Sequence, residues 1–270
     1  MSSSFLIFHS STKRFCPYPV TIAHNEHRTP LSWAAGNEKP EGLRCFLSSA
    51  RYEADYNKPD PSGRTPLSWA AGNGHDECVK VLLDSEKVDV NTPDNHGQTS
   101  LLWAVMFGKI GTIKLLLEHR GVDVNMIDND GKSPLTWAAY KGVNRRAELL
   151  LARSEVNPDL PDIDGRTPLS WSAGRGHDGV VRLLLELKDV NPNIPEGHGQ
   201  TPLFFLPRIR LLLDHPNTNP NIPNNSGQTA LLWASKCGNN GVVRILLGYS
   251  DVDPNITDND GKTPLAWASF

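Results

Sequence analysis

Long apolar runs are missing from this chain. Nowhere in its 270 residues do about 18 apolar side chains follow one another, so no segment can cross a bilayer as a helix. Cysteine is scarce too. Cys16, Cys45, Cys78 and Cys237 lie far apart with no CxxC pair, which excludes a dense disulfide framework and suits a reducing compartment. Excess positive charge is also lacking. With 27 Lys+Arg against 30 Asp+Glu, a net of −3, a broad phosphate-binding surface is disfavoured. The first apolar stretch, Phe5-Leu6-Ile7-Phe8, is short and precedes Lys13-Arg14, the wrong order for a secretory signal. These absences lead us to expect a cytoplasmic or nuclear protein, not secreted, with neither a nucleic-acid nor a membrane partner.

What the chain does contain is one phrase, written eight times. It opens at Thr29, Thr65, Thr99, Ser133, Thr167, Thr201, Thr229 and Thr263, with spacings of 36, 34, 34, 34, 34, 28 and 34. All seven tryptophans stand four residues after an opening Thr or Ser: Trp33, Trp69, Trp103, Trp137, Trp171, Trp233 and Trp267. Phe205 takes that place in the sixth copy. A fixed period of this length marks a repeat architecture rather than a globular fold.

Local chemistry gives each copy a shape. In the second, Thr65 can cap a helix whose first position, Pro66, has no N–H to leave unpaired. Leu67, Ala70 and Ala71 then share one face, and Gly72 and Gly74 are expected to stop the helix and turn the chain. A second helix carries Val79, Leu82 and Leu83, and Asp94-Asn95-His96-Gly97 is a turn of hairpin type. The expected unit is hairpin turn, helix, turn, helix.

These residues resemble the ankyrin repeat, with its D-x-x-G-x-T-P-L phrase followed by a V-V-x-L-L-L helix. The T-P-L-S-W-A-A variant is similar to arrays at the C-terminal end of filamentous-fungal NACHT-type receptor proteins. The resemblance implies a mainly α, ankyrin-type solenoid over residues 23–270, preceded by a poorly ordered segment, residues 1–22. It would have about eight repeats with short β-hairpin fingers, the sixth shortened and the eighth truncated. Pro40 and Gly42 weaken the second helix of the first copy, and His27 replaces the finger glycine there. In the sixth copy six residues are missing across the turn and the start of helix two, which predicts a distorted joint near Pro207. The eighth copy stops after Trp267-Ala268-Ser269, so Leu246 and Leu247 of the seventh are expected to be exposed.

No catalytic motif survives inspection. Asp128-Asn129-Asp130-Gly131 and Asp258-Asn259-Asp260-Gly261 look like calcium loops, but the positions that need an acidic ligand hold Met126 and Trp137, or Ile256 and Trp267. Those carboxylates are better read as accepting from their own turn backbone. The nine histidines have no metal-ligand spacing, and His75 and His177 sit where a ring can satisfy backbone groups. We therefore expect no enzyme, no cofactor and no metal. The tryptophans allow two arrangements, wedged between copies or exposed in a row. Wedging is favoured, because seven exposed indoles exceed what a soluble monomer tolerates.

The family likeness implies that a protein partner meets the finger tips and helix-one ends on a concave face. Carried over copy by copy, the sites are Ser62, Arg64 and Asn73; then Asn95, His96, Gln98, Met106 and Phe107. The next two copies give Asn129, Asp130, Lys132, Tyr140 and Lys141, and then Ile163, Asp164, Arg166 and Arg175. The expected function is a non-catalytic protein–protein interaction scaffold. Its rival is a sensing or autoinhibitory fragment of a larger NACHT/STAND-type signalling NTPase.

Overall fold

The structure is a computed structural model and describes residues 28–48, 56–205 and 209–269. Residues 1–22, His27 and Pro207, on which three of the expectations bear, lie outside the described residues. Copies one to five and seven each contribute a pair of short helices. The pairs are α1 (Pro30–Gly36) with α2 (Pro40–Leu47), α3 (Pro66–Asn73) with α4 (Asp76–Leu83), and α5 (Ser100–Phe107) with α6 (Ile110–Glu118). They continue with α7 (Pro134–Lys141) and α8 (Asn144–Leu151), then α9 (Pro168–Arg175) and α10 (Asp178–Leu185). In the sixth copy a 3-10 turn, Pro202–Phe204, precedes α11 (Ile209–Leu213). The seventh has α12 (Ala230–Lys236) and α13 (Asn240–Leu246), and the eighth α14 (Pro264–Ala268). Every substantial helix contact stays within a copy or joins neighbours, helix one on helix one and helix two on helix two. This is a solenoid, in which stability is built from units and their interfaces.

The caps work as the sequence leads one to expect. Thr29, Thr65, Thr99, Ser133, Thr167, Thr229 and Thr263 each accept the N–H three residues on, and Thr201 does not. Gly74 closes α3 at φ 80°, a conformation that favours glycine. Gly72, expected to stop the helix, lies inside it. A Cβ there would lie 2.9 Å from an Arg64 nitrogen and 3.3 Å from the Trp103 ring, so its smallness admits the next copy's indole. α2 forms over Pro40–Leu47 with both Pro40 and Gly42 in it, Pro40 at its first turn and Gly42 buried within it.

Leucines build the core. Leu82, Leu116, Leu150, Leu184, Leu212 and Leu246, one per copy, are all 0% exposed. Leu246 thus corrects the expectation of exposure. It shares the fully buried position of the other helix-two leucines, whereas Leu247, one residue and about 100° further round, is 54% exposed. In the sixth copy the described residues hold a 3-10 turn in place of helix one and five residues of α11.

The fingers contain no strand among the described residues; they are tight turns. In the second copy, Asp60 N–H donates to the Arg64 carbonyl and Gly63 N–H to the Asp60 carbonyl. Fingers then join in series, Asn95 N–H to Ser62 O (3.0 Å), Asn129 to His96 (2.9 Å), Ile163 to Asp130 (3.2 Å) and Gly197 to Asp164 (2.7 Å). At the opposite edge runs an asparagine ladder. Asn91 donates its amide to the Gly121 carbonyl and accepts from Asp123 N–H, and Asn57, Asn125, Asn193 and Asn221 repeat the pattern.

Candidate interaction face

The tryptophan row is neither wedged out of sight nor free. Each indole is half-buried, and in five copies its ring N–H donates to a buried carboxylate nine residues earlier. The pairs are Trp69–Asp60 (2.9 Å), Trp103–Asp94 (2.9 Å), Trp137–Asp128 (2.7 Å), Trp171–Asp162 (2.7 Å) and Trp267–Asp258 (2.8 Å). The other oxygen of each Asp accepts two backbone N–H groups of its finger; for Asp128 these come from Asp130 and Lys132. The loop thus has the turn role assigned to it, and among the described residues no acidic or histidine cluster could hold a metal ion. One carboxylate ties finger to helix one. Burial pushes the Asp60 carboxyl up, but the hydrogen bonds from Ser62, Trp69 and Arg64 outweigh it and hold the group below its ordinary range.

Sequence reasoning missed the Trp–Asp pair, although its signal was present: an Asp recurs at one fixed offset before Trp. His75 and His177 do sit as expected, their Nε2 atoms 3.1 Å and 3.2 Å from the Gly36 and Tyr140 carbonyls of the preceding copy.

Cations fill the spaces between the rings. The Arg64 guanidinium lies 3.7 Å from the centre of Trp69 and 3.9 Å from Trp103, and Arg28 covers the other side of Trp69 at 3.5 Å. Lys132 bridges Trp137 and Trp171 at 5.7 and 5.8 Å. Burial lowers the Arg64 pKa to about 10, against the pull of Asp60 and Asp94, which leaves it cationic at neutral pH. Arg64, Lys132 and Arg166, together with Gln98, are accordingly half-buried between copies.

The remaining expected residues fall into two groups. Ser62, Asn95, His96, Asn129, Asp130, Ile163 and Asp164 are exposed at the finger tips. Of these, Asn95 and Asn129 use their amides to tie one finger to the last, through the Pro61 and Asn95 carbonyls. Ile163 has no side-chain amide and is 72% exposed, beside an open recess of about 570 Å³ that it shares with Arg166, Glu196 and His198. Asp130 pairs with Lys132 at 3.1 Å, and Asp164 stands 4.0 Å from Arg166.

The second group lies along helix one. Asn73, Phe107, Lys141 and Arg175 occupy the same last-turn position in α3, α5, α7 and α9, and all four are exposed. Phe107 stacks on Trp103 at 5.4 Å with rings 7° from parallel. Tyr140 is half-buried, held edge-on between Trp137 and Trp171 at 5.5 and 5.0 Å, and Met106, at the equivalent position of α5, is also half-buried. The arrangement offers pre-oriented side chains on a rigid frame.

This architecture defines a class first: an α-solenoid of two-helix units with finger turns, each unit packed only on its neighbours. The family model for ankyrin repeats matches residues 8–94, 31–128, 86–159, 135–206 and 205–270, and the chain belongs to the ankyrin repeat family. Among solved structures it is similar to the ankyrin repeat domain of Bcl-3, a unique member of the IkappaB protein family. That likeness has 26% identity and a TM-score of 0.71, over 77% of this chain and 95% of the other. No curated protein matches the chain. Ankyrin repeat domains generally mediate protein–protein interaction, on a fold known as a non-catalytic scaffold. No helix among the described residues is long and apolar enough to cross a membrane.

Proposed function

We propose that the array is a non-catalytic scaffold that holds a polypeptide partner on its concave finger and helix-one face, across copies two to five. One observation carries this reading. Phe107 is 56% exposed yet stacked flat on Trp103, an ordered apolar surface facing solvent where a core residue would be hidden. Aromatic side chains held in this way dominate binding energy at protein interfaces, and a fixed frame removes ordering cost on association. Tyr140, clamped by two indoles, is the second anchor. The test is affinity capture with the 270-residue chain, compared with the Phe107→Ala/Tyr140→Ala double variant. A partner held through these anchors should lose about 2 kcal/mol or more of binding, roughly thirtyfold. Unchanged capture by a folded double variant removes the site.

A further inference from the structure

The helix-one row has a charge pattern that names the chemistry of what it holds, and this step rests on the scaffold reading above. None of the helix-one segments contains an Asp or Glu, from α1 through α14 and including the 3-10 turn. The chain as a whole carries a net charge of −3, so acidic residues have been kept off this face and placed on the fingers and the second helices. The finger acids Asp130 and Asp164 have their own cations close by, Lys132 and Arg166.

Lys141 and Arg175 have none. No carboxylate lies within 4.0 Å of either among the described residues, although both are exposed. Arg175 nonetheless has a partner: its guanidinium carbon lies over Tyr140, 3.7 Å from the ring centre, with Trp171 at 5.6 Å. Stacking uses the face of a guanidinium and leaves the edge, where its N–H donors form the fork that fits a carboxylate. Lys141 shares Tyr140 with it, 5.7 Å from that ring and 5.8 Å from Trp137. Both cations are ordered by aromatics rather than by anions, so an incoming carboxylate displaces no internal partner.

Phe107, Lys141 and Arg175 are equivalent residues of three successive copies, so they stand in line about 10 Å apart, the helix packing distance. An extended chain covers that interval in about three residues. We propose that this row binds an extended acidic segment of a partner protein, with two carboxylates about three residues apart on Lys141 and Arg175 and an apolar side chain on Phe107. A folded, neutral surface would leave both cations desolvated without compensation, at a cost that a carboxylate removes.

The experiment uses the whole chain and a displayed library of random peptides about nine residues long, with selected sequences remade and measured by fluorescence anisotropy. Selected peptides should carry two Asp or Glu about three apart beside an apolar residue, and should bind more weakly as salt rises. Lys141→Glu/Arg175→Glu should weaken them about tenfold or more while leaving the thermal unfolding midpoint in place, because both side chains are at the surface. Enrichment without acidic residues, no enrichment at all, or affinity untouched by the double reversal would each overturn the proposal. So would equal binding of a single-stranded oligonucleotide, which would point to phosphate rather than carboxylate. Failure here is separable from failure of the scaffold reading. A natural partner lost on Phe107→Ala/Tyr140→Ala but insensitive to salt and to the double reversal leaves the scaffold standing and removes only the acidic segment.

Discussion

Copies two to five and copy six descend from the same phrase, yet they solve its physical problems differently. In the regular copies one Asp accepts both the finger N–H groups and the indole N–H. In the sixth copy, Phe205 has no N–H to offer, and Glu196 keeps only the finger half of the work, accepting from His198 at 2.9 Å and Gln200 at 3.3 Å. The seventh copy splits the roles another way: Trp233 remains, but Asn224 replaces the carboxylate and holds the turn through Ser226 and Gln228 N–H. The finger turn therefore forms on either acceptor, while the indole bonds described here are all made to a carboxylate. Both edges cross the sixth copy intact. Asn225 N–H still reaches His198 O at 3.0 Å, and Asn193 still donates to Asn217 O at 2.7 Å. The missing residues are absorbed inside the helices, so register along the array is kept by its edges.

Five substitutions, forming three tests, would sharpen or break this comparison. The largest effect is expected in the core. Leu150→Ala should cost ~2–5 kcal/mol in equilibrium unfolding by urea, since the side chain is fully buried between two complete helices. Leu212→Ala removes an equally buried leucine from five-residue α11, where a shorter frame collapses more readily, so its cost should be less than half as large. Equal costs would show that the sixth copy is packed as rigidly as its neighbours.

Next in size is the indole bond. Asp128→Asn turns one amide donor toward the Trp137 ring N–H and should cost about 2 kcal/mol, the penalty of an unpaired buried donor. The reverse change in copy seven, Asn224→Asp, should raise the melting midpoint by supplying the acceptor that Trp233 lacks there. If both changes are neutral, the carboxylate has no role beyond the turn.

The smallest effect concerns the asparagine ladder, in which the fifth copy has Asp159. That side chain accepts Asn191 N–H at 2.8 Å, as its neighbours do, but it has no amide to donate and its other oxygen is buried without a partner. Burial raises its pKa above the ordinary value, only partly opposed by the Asn191 N–H. The folded state therefore holds this proton more tightly than the unfolded chain. Its contribution to stability is full below the unfolded pKa near 3.8 and is lost as pH rises through the folded pKa. Asp159→Asn should stabilise the protein by about 1 kcal/mol at neutral pH, a modest gain because the group is only part-buried, and by less in acid. Unchanged stability at pH 7 would mean that the ladder does not bear on folding, and a loss would mean that the carboxylate is the better ladder group here.

Most of the fold was legible because its determinants are local: threonine caps, proline at the first helical turn, glycine at positive φ and the period itself. The faces were harder to read. Leu246 and Leu247 are consecutive and equally apolar, and only the crossing of two helices decides which one meets its own copy. Gly72 was misread as a stop because its purpose lies 31 residues away, at the Trp103 ring. Among the expected contact residues, Phe107, Lys141 and Arg175 are exposed, each beside an aromatic ring. Arg64 and Lys132 turn out to be spacers between indoles, a use that becomes visible only when successive copies are stacked.

The two edge ladders give the array a mechanical character. Each rung links one unit to the next and to nothing further along, so tension applied at the ends passes through every rung in series. Stretched in an atomic force microscope, such a chain should pay out one unit at a time, each lengthening by about 34 residues of contour. The first rupture should fall where α11 offers the least resistance. The protein would behave as a spring with a designated yielding coil.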